Sequence, residues 1–113
     1  MMWLHELAYF AGGVTLTNAV PHLVSGVMGR PFQSPFARPP GQGLSSSTVN
    51  VIWGFANLAV AYGLICHVGD FDLRALRDAA AMGLGLLLSG LGLARTFGRF
   101  HGGNSPESAG PSS

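Results

Sequence analysis

The chain has 113 residues, enough for one domain at most, and while 48% are hydrophobic only 10% are charged, against about 25% in ordinary soluble domains. Net charge is +1 and the six basic residues, all arginine, are scattered along the chain, so there is no clustered basic face for nucleic acid. Cys66 is the single cysteine, which excludes an internal disulfide and a CxxC redox or metal motif.

The apolar residues gather in three stretches of bilayer-crossing length. They predict an all-α integral membrane protein with three transmembrane helices at about 3–28, 48–69 and 75–97, forming one domain over 1–100. A polar tail, 101–113, is expected to be disordered, because it is built almost wholly of Gly, Ser, Pro and Asn. Three helices of this size have little interior of their own. Membrane lipids, further copies in a homo-oligomer, or a larger membrane protein must cover their outer surfaces.

The first stretch opens without the basic region of a signal peptide or a convincing small-residue cleavage site, so it reads as retained. Trp3 and Tyr9 lie toward its start, where amphipathic rings favour the headgroup level. Pro21 removes a backbone donor and predicts a kink between Thr17 and Pro21. It also frees a carbonyl one turn back, within reach of an Asn or Trp N–H. Gly12 and Gly13 permit close approach of another helix.

The connection that follows reads Arg30-Pro31-Phe32-Gln33-Ser34-Pro35-Phe36-Ala37-Arg38-Pro39-Pro40. Prolines this dense rule out a helix or a central strand and favour a stiff, extended backbone. Phe32 and Phe36 are too apolar for a solvated linker, so they are expected to enter the interface or pack on helix ends. With Arg30 and Arg38 they make a surface suited to a partner or to anionic lipid. A rigid lid over the helix ends is the plainer reading.

One of the residues 45–48 should cap the second helix, and Asp70 or Asp72 the third. In the third stretch Ala81, Gly85 and Ser89 form a small-residue row, a candidate seam for association through Gly/Ala faces. With the N-terminus outside, Arg30, Arg38, Arg95 and Arg99 fall inside and only Arg74 and Arg77 outside, where Asp70 and Asp72 offset them. Four against two favours an N-out, C-in arrangement in a cell inner membrane.

Inside hydrocarbon a polar side chain needs a partner. Asn18 and His22 are four apart on one helical face, and Asn50, Trp53 and Asn57 share a face of the second helix. The two stretches run antiparallel, which places His22 level with Trp53 and Asn18 with Asn57. These five residues are the candidate ligand-binding set for a small solute, ion or lipid. Interhelical packing, at roughly 0.6–2 kcal/mol per hydrogen bond, is the plainer and leading reading of the same band. His22 has no neighbouring carboxylate in the sequence, which argues against a proton pump.

No cofactor or metal is implied. Only His5 and His67 fall at matching depth for two axial heme ligands within one chain, and both sit at the rim. No nucleophile–base or paired-carboxylate pattern supports an enzyme.

The string Asn18-x-x-Pro21-His22-x-x-x-Gly26, then Gly29-Arg30-Pro31-Phe32-x-x-Pro35-Phe36-x-x-Pro39-Pro40-Gly41-x-Gly43-x-Ser45-Ser46, then Asn50-x-x-Trp53-Gly54-x-x-Asn57, resembles a family of small bacterial multi-pass membrane proteins of uncharacterised activity. The likeness covers about residues 10–60. It implies an inner-membrane location and no particular substrate.

Overall fold

A computed structural model describes residues 2–105. Three helices dominate: α1 (Met2–Val27), α2 (Ser47–Tyr62), which runs on into a π-helical segment (Gly63–Val68), and α3 (Leu76–His101). A two-residue antiparallel ladder, β1 (Phe32–Gln33) with β2 (Leu44–Ser45), closes the connection between α1 and α2, pairing Phe32 with Ser45 and Gln33 with Leu44. Of the expected tail, His101 ends α3 and Gly102–Ser105 form a turn; residues 106–113 lie outside the described part.

The helix ends follow local chemistry. α1 stops at a Schellman turn: Gly29 takes φ +73°, its N–H bonds to the Gly26 carbonyl, and the Arg30 N–H reaches the Ser25 carbonyl. Ser46 caps α2, its side chain accepting from the Val49 N–H at 3.1 Å. At α3 the cap position belongs to Ala75, which offers no side-chain bond. Asp72 and Asp78 are used just ahead of it: Asp72 Oδ1 accepts from Arg74 N and Asp78 Oδ2 from Asp72 N. The expectation that Asp70 or Asp72 caps α3 is therefore corrected. The chain turns once more, in a carboxylate-bonded loop, before the helix begins.

α1 lies in the middle. It packs along α2 on one side and α3 on the other, while α2 and α3 scarcely touch. Glycines set both contacts. A Cβ on Gly13 would sit 2.5 Å from the Met82 carbonyl oxygen, and one on Gly85 would run into the Phe10 carbonyl. On the other side, a Cβ on Gly54 would lie 2.7 Å from Leu23 Cγ. The row at Ala81, Gly85 and Ser89 is thus taken up within the protomer, at least where Gly85 meets α1. This corrects its reading as an association seam between copies.

Burial along α2 is inverted relative to a water-soluble helix. Its buried residues are Asn50, Gly54, Asn57 and Ala61, whereas Ile52, Phe55 and Val60 are more than half exposed. The same holds throughout. The buried hydrophobic residues are Ala8, Tyr9, Ala19 and Ala61, while Leu84, Leu87, Leu88 and Leu91 of α3 all face outward. Ser47–Val68 and Leu76–His101 are long and apolar enough to cross a membrane. α1 equals α3 in length, at 26 residues. Its His5, Glu6, Thr15, Thr17, Asn18 and His22 dilute its apolar content, and it falls short of that criterion.

Candidate functional site

The polar residues of α1 and α2 meet across the helix interface. Antiparallel packing puts residues nearer the connection opposite one another first, so His22 meets Asn50 and, one turn further away, Asn18 meets Asn57. His22 Nδ1 is 2.7 Å from Asn50 Oδ1, and both residues are buried. Asn18 Nδ2 donates to Asn57 Oδ1 at 3.1 Å, and Asn57 Nδ2 donates to the Trp53 carbonyl at 2.9 Å.

Asn50 is the hub. Its Nδ2 lies 3.2 Å from the Phe32 carbonyl, 3.2 Å from that of Ser45 and 3.0 Å from that of Ser46. Three carbonyls around one atom identify that atom as the amide nitrogen. The oxygen is left for His22, so Nδ1 carries the proton and donates. One side chain therefore fastens the C-terminal part of α1, both ladder strands and the cap of α2 together.

The connecting loop is folded rather than merely extended. Ser34 is buried; its hydroxyl lies 2.6 Å from that of Ser45, and its carbonyl accepts from Ala37 and Gly41. The Arg38–Pro39 peptide is cis. Phe32 turns inward, with its ring centroid 5.6 Å from His22, 4.8 Å from Phe97 and 5.4 Å from His101, the last pair stacked within 2° of parallel. His101 Nε2 also lies 2.9 Å from Gln33 Oε1. Phe36 sits edge-on to Trp53 at 5.1 Å yet remains 62% exposed. Arg30 and Arg38 are at the same end of the molecule, without ion-pair partners among the described residues. The loop is thus a lid locked to all three helices, and the ladder within it has no periodicity signal, because two residues per strand are too few to show one.

Trp53 Nε1 is enclosed without a hydrogen-bond partner among the described residues, although the ring approaches His22 at 6.4 Å. None of the Asn or Trp donors takes the carbonyl that Pro21 leaves free on Thr17, contrary to expectation. Acceptors on α2 and the loop claim the Asn amides while Trp53 Nε1 stays unbonded among the described residues, and α1 continues unbroken through Pro21. Thr17 and Ser89 act as supporting groups, Ser89 having been legible in the sequence only as a small residue of the α3 row. Thr17 Oγ1 donates to the Leu86 carbonyl on α3 at 3.4 Å, and Ser89 Oγ to the Gly85 carbonyl at 2.6 Å.

Asn18 and Asn57 open onto a crevice of ≈ 330 Å³ that Thr15, Ser89 and Thr96 also line. His22 and Asn50 do not line it, and Trp53 lines a separate apolar depression with Phe36, Val49, Ile52 and Ala56. The five candidate residues thus form one hydrogen-bonded and aromatic band but not one binding pocket. His5 lies beside Tyr9 and His67 beside Tyr62. No group of three His, Cys, Asp or Glu side chains suited to a metal ion occurs among the described residues. No family model, curated protein or solved structure matches the chain.

Proposed function

We propose that the protein is a three-span inner-membrane protein of structural or accessory type, one that self-associates or packs on a larger membrane partner. The inverted burial carries this reading. Polar and small residues occupy the interior while leucine, isoleucine, valine and phenylalanine face outward, an arrangement that costs free energy in water and suits hydrocarbon. α1, which carries Asn18 and His22, lies between α2 and α3, so its Asn and His groups meet partners instead of lipid.

The accessory reading follows from how fully the polar band is engaged. Asn50 uses its oxygen and its nitrogen, and His22 Nδ1 donates to it, so these groups hold the fold together and are not free for a solute. The outer faces of α2 and α3 remain available for another protein.

The test is alkaline carbonate extraction of native membranes, followed by native mass spectrometry of the gently solubilised protein. Retention in the pellet, with a homo-oligomer or a stoichiometric larger protein in the spectrum, is the expected result. Release by carbonate would end the membrane reading, and a membrane-inserted bare monomer would end the accessory one. One observation favours a second reading, binding of a small polar solute: the Thr15–Asn18–Asn57–Ser89 crevice. A solute retained by wild type but not by Asn18→Ala would establish it.

A further inference from the structure

A groove of ≈ 600 Å³ runs between α1 and α3, away from the Asn/His band. Its walls are almost wholly apolar: Leu16, Val20 and Pro21 on one side, Leu86, Leu93 and Phe97 on the other, with Phe32 and His101 closing the loop end. From Leu86 to Gly98 it follows α3 for about 18 Å at 1.5 Å per residue, which is close to the roughly 15 Å depth of a single leaflet's hydrocarbon. At Gly98 it adjoins a second concavity of ≈ 570 Å³ lined by Arg95, Arg99, Gly102, Asn104 and Ser105. The junction is built by the chain's fold-back. Gly102 takes φ +71°, the turn brings Asn104 over the bare face of Gly98, and Asn104 Nδ2 donates to the Ala94 carbonyl.

Charge decides what suits this pair of cavities. Arg95 and Arg99 have no carboxylate partner among the described residues, and Arg30 and Arg38 lie at the same end. The described acids, Glu6, Asp70, Asp72 and Asp78, all sit at the opposite end. A chain-shaped apolar groove that opens onto two guanidinium groups, Arg99 resting over the Phe100 ring at 5.8 Å and neither holding a carboxylate among the described residues, is complementary to a molecule with an alkyl tail and an anionic head.

We propose that this composite site binds an anionic phospholipid, with one acyl chain between α1 and α3 and the phosphate between Arg95 and Arg99. The inference rests on the membrane reading above and adds a defined lipid position to it. Gly90 provides the means to block the groove alone. A Cβ placed there meets only Thr17 Cγ2, at 3.8 Å, so Gly90→Leu fills the cavity without displacing backbone.

The experiment offers the detergent-solubilised full chain an equimolar mixture of dioleoyl-phosphatidylglycerol and dioleoyl-phosphatidylcholine and reads retained lipid by native mass spectrometry. Wild type is expected to keep one phosphatidylglycerol per protomer with about tenfold preference, the scale set by one or two arginines near a headgroup. Arg95→Gln/Arg99→Gln should abolish the preference, and Gly90→Leu should abolish retention, both with unchanged helical circular dichroism. Equal retention of the two lipids by wild type, or a preference that survives the double substitution, overturns the proposal. So does a groove occupied by a second copy, seen as a lipid-free dimer that Gly90→Leu dissociates. Displacement of the lipid by equimolar inorganic phosphate would show a bare anion site and overturn it too. A carbonate-resistant protein lacking the preference sinks the lipid site alone, whereas a carbonate-released protein sinks the membrane reading with it.

Discussion

His22 Nδ1 donates to Asn50 Oδ1 across 2.7 Å, joining the C-terminal part of α1 to the first turn of α2 through a pair of side chains 28 residues apart. The same asparagine holds the carbonyls of Phe32, Ser45 and Ser46. The lid, the cap and the helix interface are therefore a single hydrogen-bonded unit. Losing the Asn50 side chain strands the buried His22 Nδ1 and takes the amide from the half-buried Phe32 and Ser45 carbonyls, whereas losing Asn18 breaks only its bond to Asn57.

The two asparagines should accordingly differ in weight. Asn50→Ala is expected to lower stability in detergent by about 2–3 kcal/mol, the cost of stranding buried partners, and Asn18→Ala by about 1 kcal/mol. Thermal unfolding followed by circular dichroism measures both. Equal losses would mean that Asn50 is not the hub.

Glycine position should separate folding from association. Gly85 presses on the α1 backbone, while Gly83 and Gly92 face open space. Gly85→Leu is expected to prevent the folded monomer from accumulating, because neither backbone can retreat without opening the α1–α3 contact. Gly92→Leu should leave monomer stability within about 0.5 kcal/mol, so any change in oligomer size on cross-linking reports an intermolecular seam. A well-folded Gly85→Leu protein would contradict the packing described.

Trp53 offers a test of an unsatisfied donor. Its Nε1 is enclosed without a partner among the described residues, and its ring rests against Phe36 and His22. Trp53→Phe should fall within about 1 kcal/mol of wild type, since removing an unpaired donor offsets part of the lost ring area. Trp53→Ala should cost about 3–5 kcal/mol by leaving a void. A large loss for Trp53→Phe in the same unfolding assay would reveal a hydrogen bond at Nε1.

Cys66, exposed in the π-helical segment, is a built-in topology reporter. In an N-out arrangement it lies on the outer side, so a membrane-impermeant maleimide should label it in cells with a permeabilised outer envelope. Protection until the inner membrane is disrupted would reverse the orientation.

The helices were legible because their signal is local and repeated. Long apolar runs, the Ser cap before Val49 and the glycine at the end of α1 each speak within a few residues. The facing of Asn18 with Asn57 and of His22 with α2 was legible too, since a short connection forces antiparallel neighbours into register. Less was readable in the loop. Pro31, Pro35 and Pro39 predict a stiff strap, yet Ser34 and Gln33 are buried and Phe32 points inward between His22 and Phe97. That choice depends on α3, whose last turns lie more than sixty residues away in the chain.

What the sequence by itself determined was the three helices, their order and the facing of Asn18 with Asn57, because periodicity and connection length are properties of the chain. Only the tertiary structure decided that α1 lies in the centre, that Gly85 is used inside the protomer, and that Asn50 rather than His22 is the hub. It alone placed Arg95 and Arg99 at the mouth of an apolar groove. Those outcomes depend on which helix faces compete for the same neighbour, and that competition is settled by close packing between residues far apart in sequence.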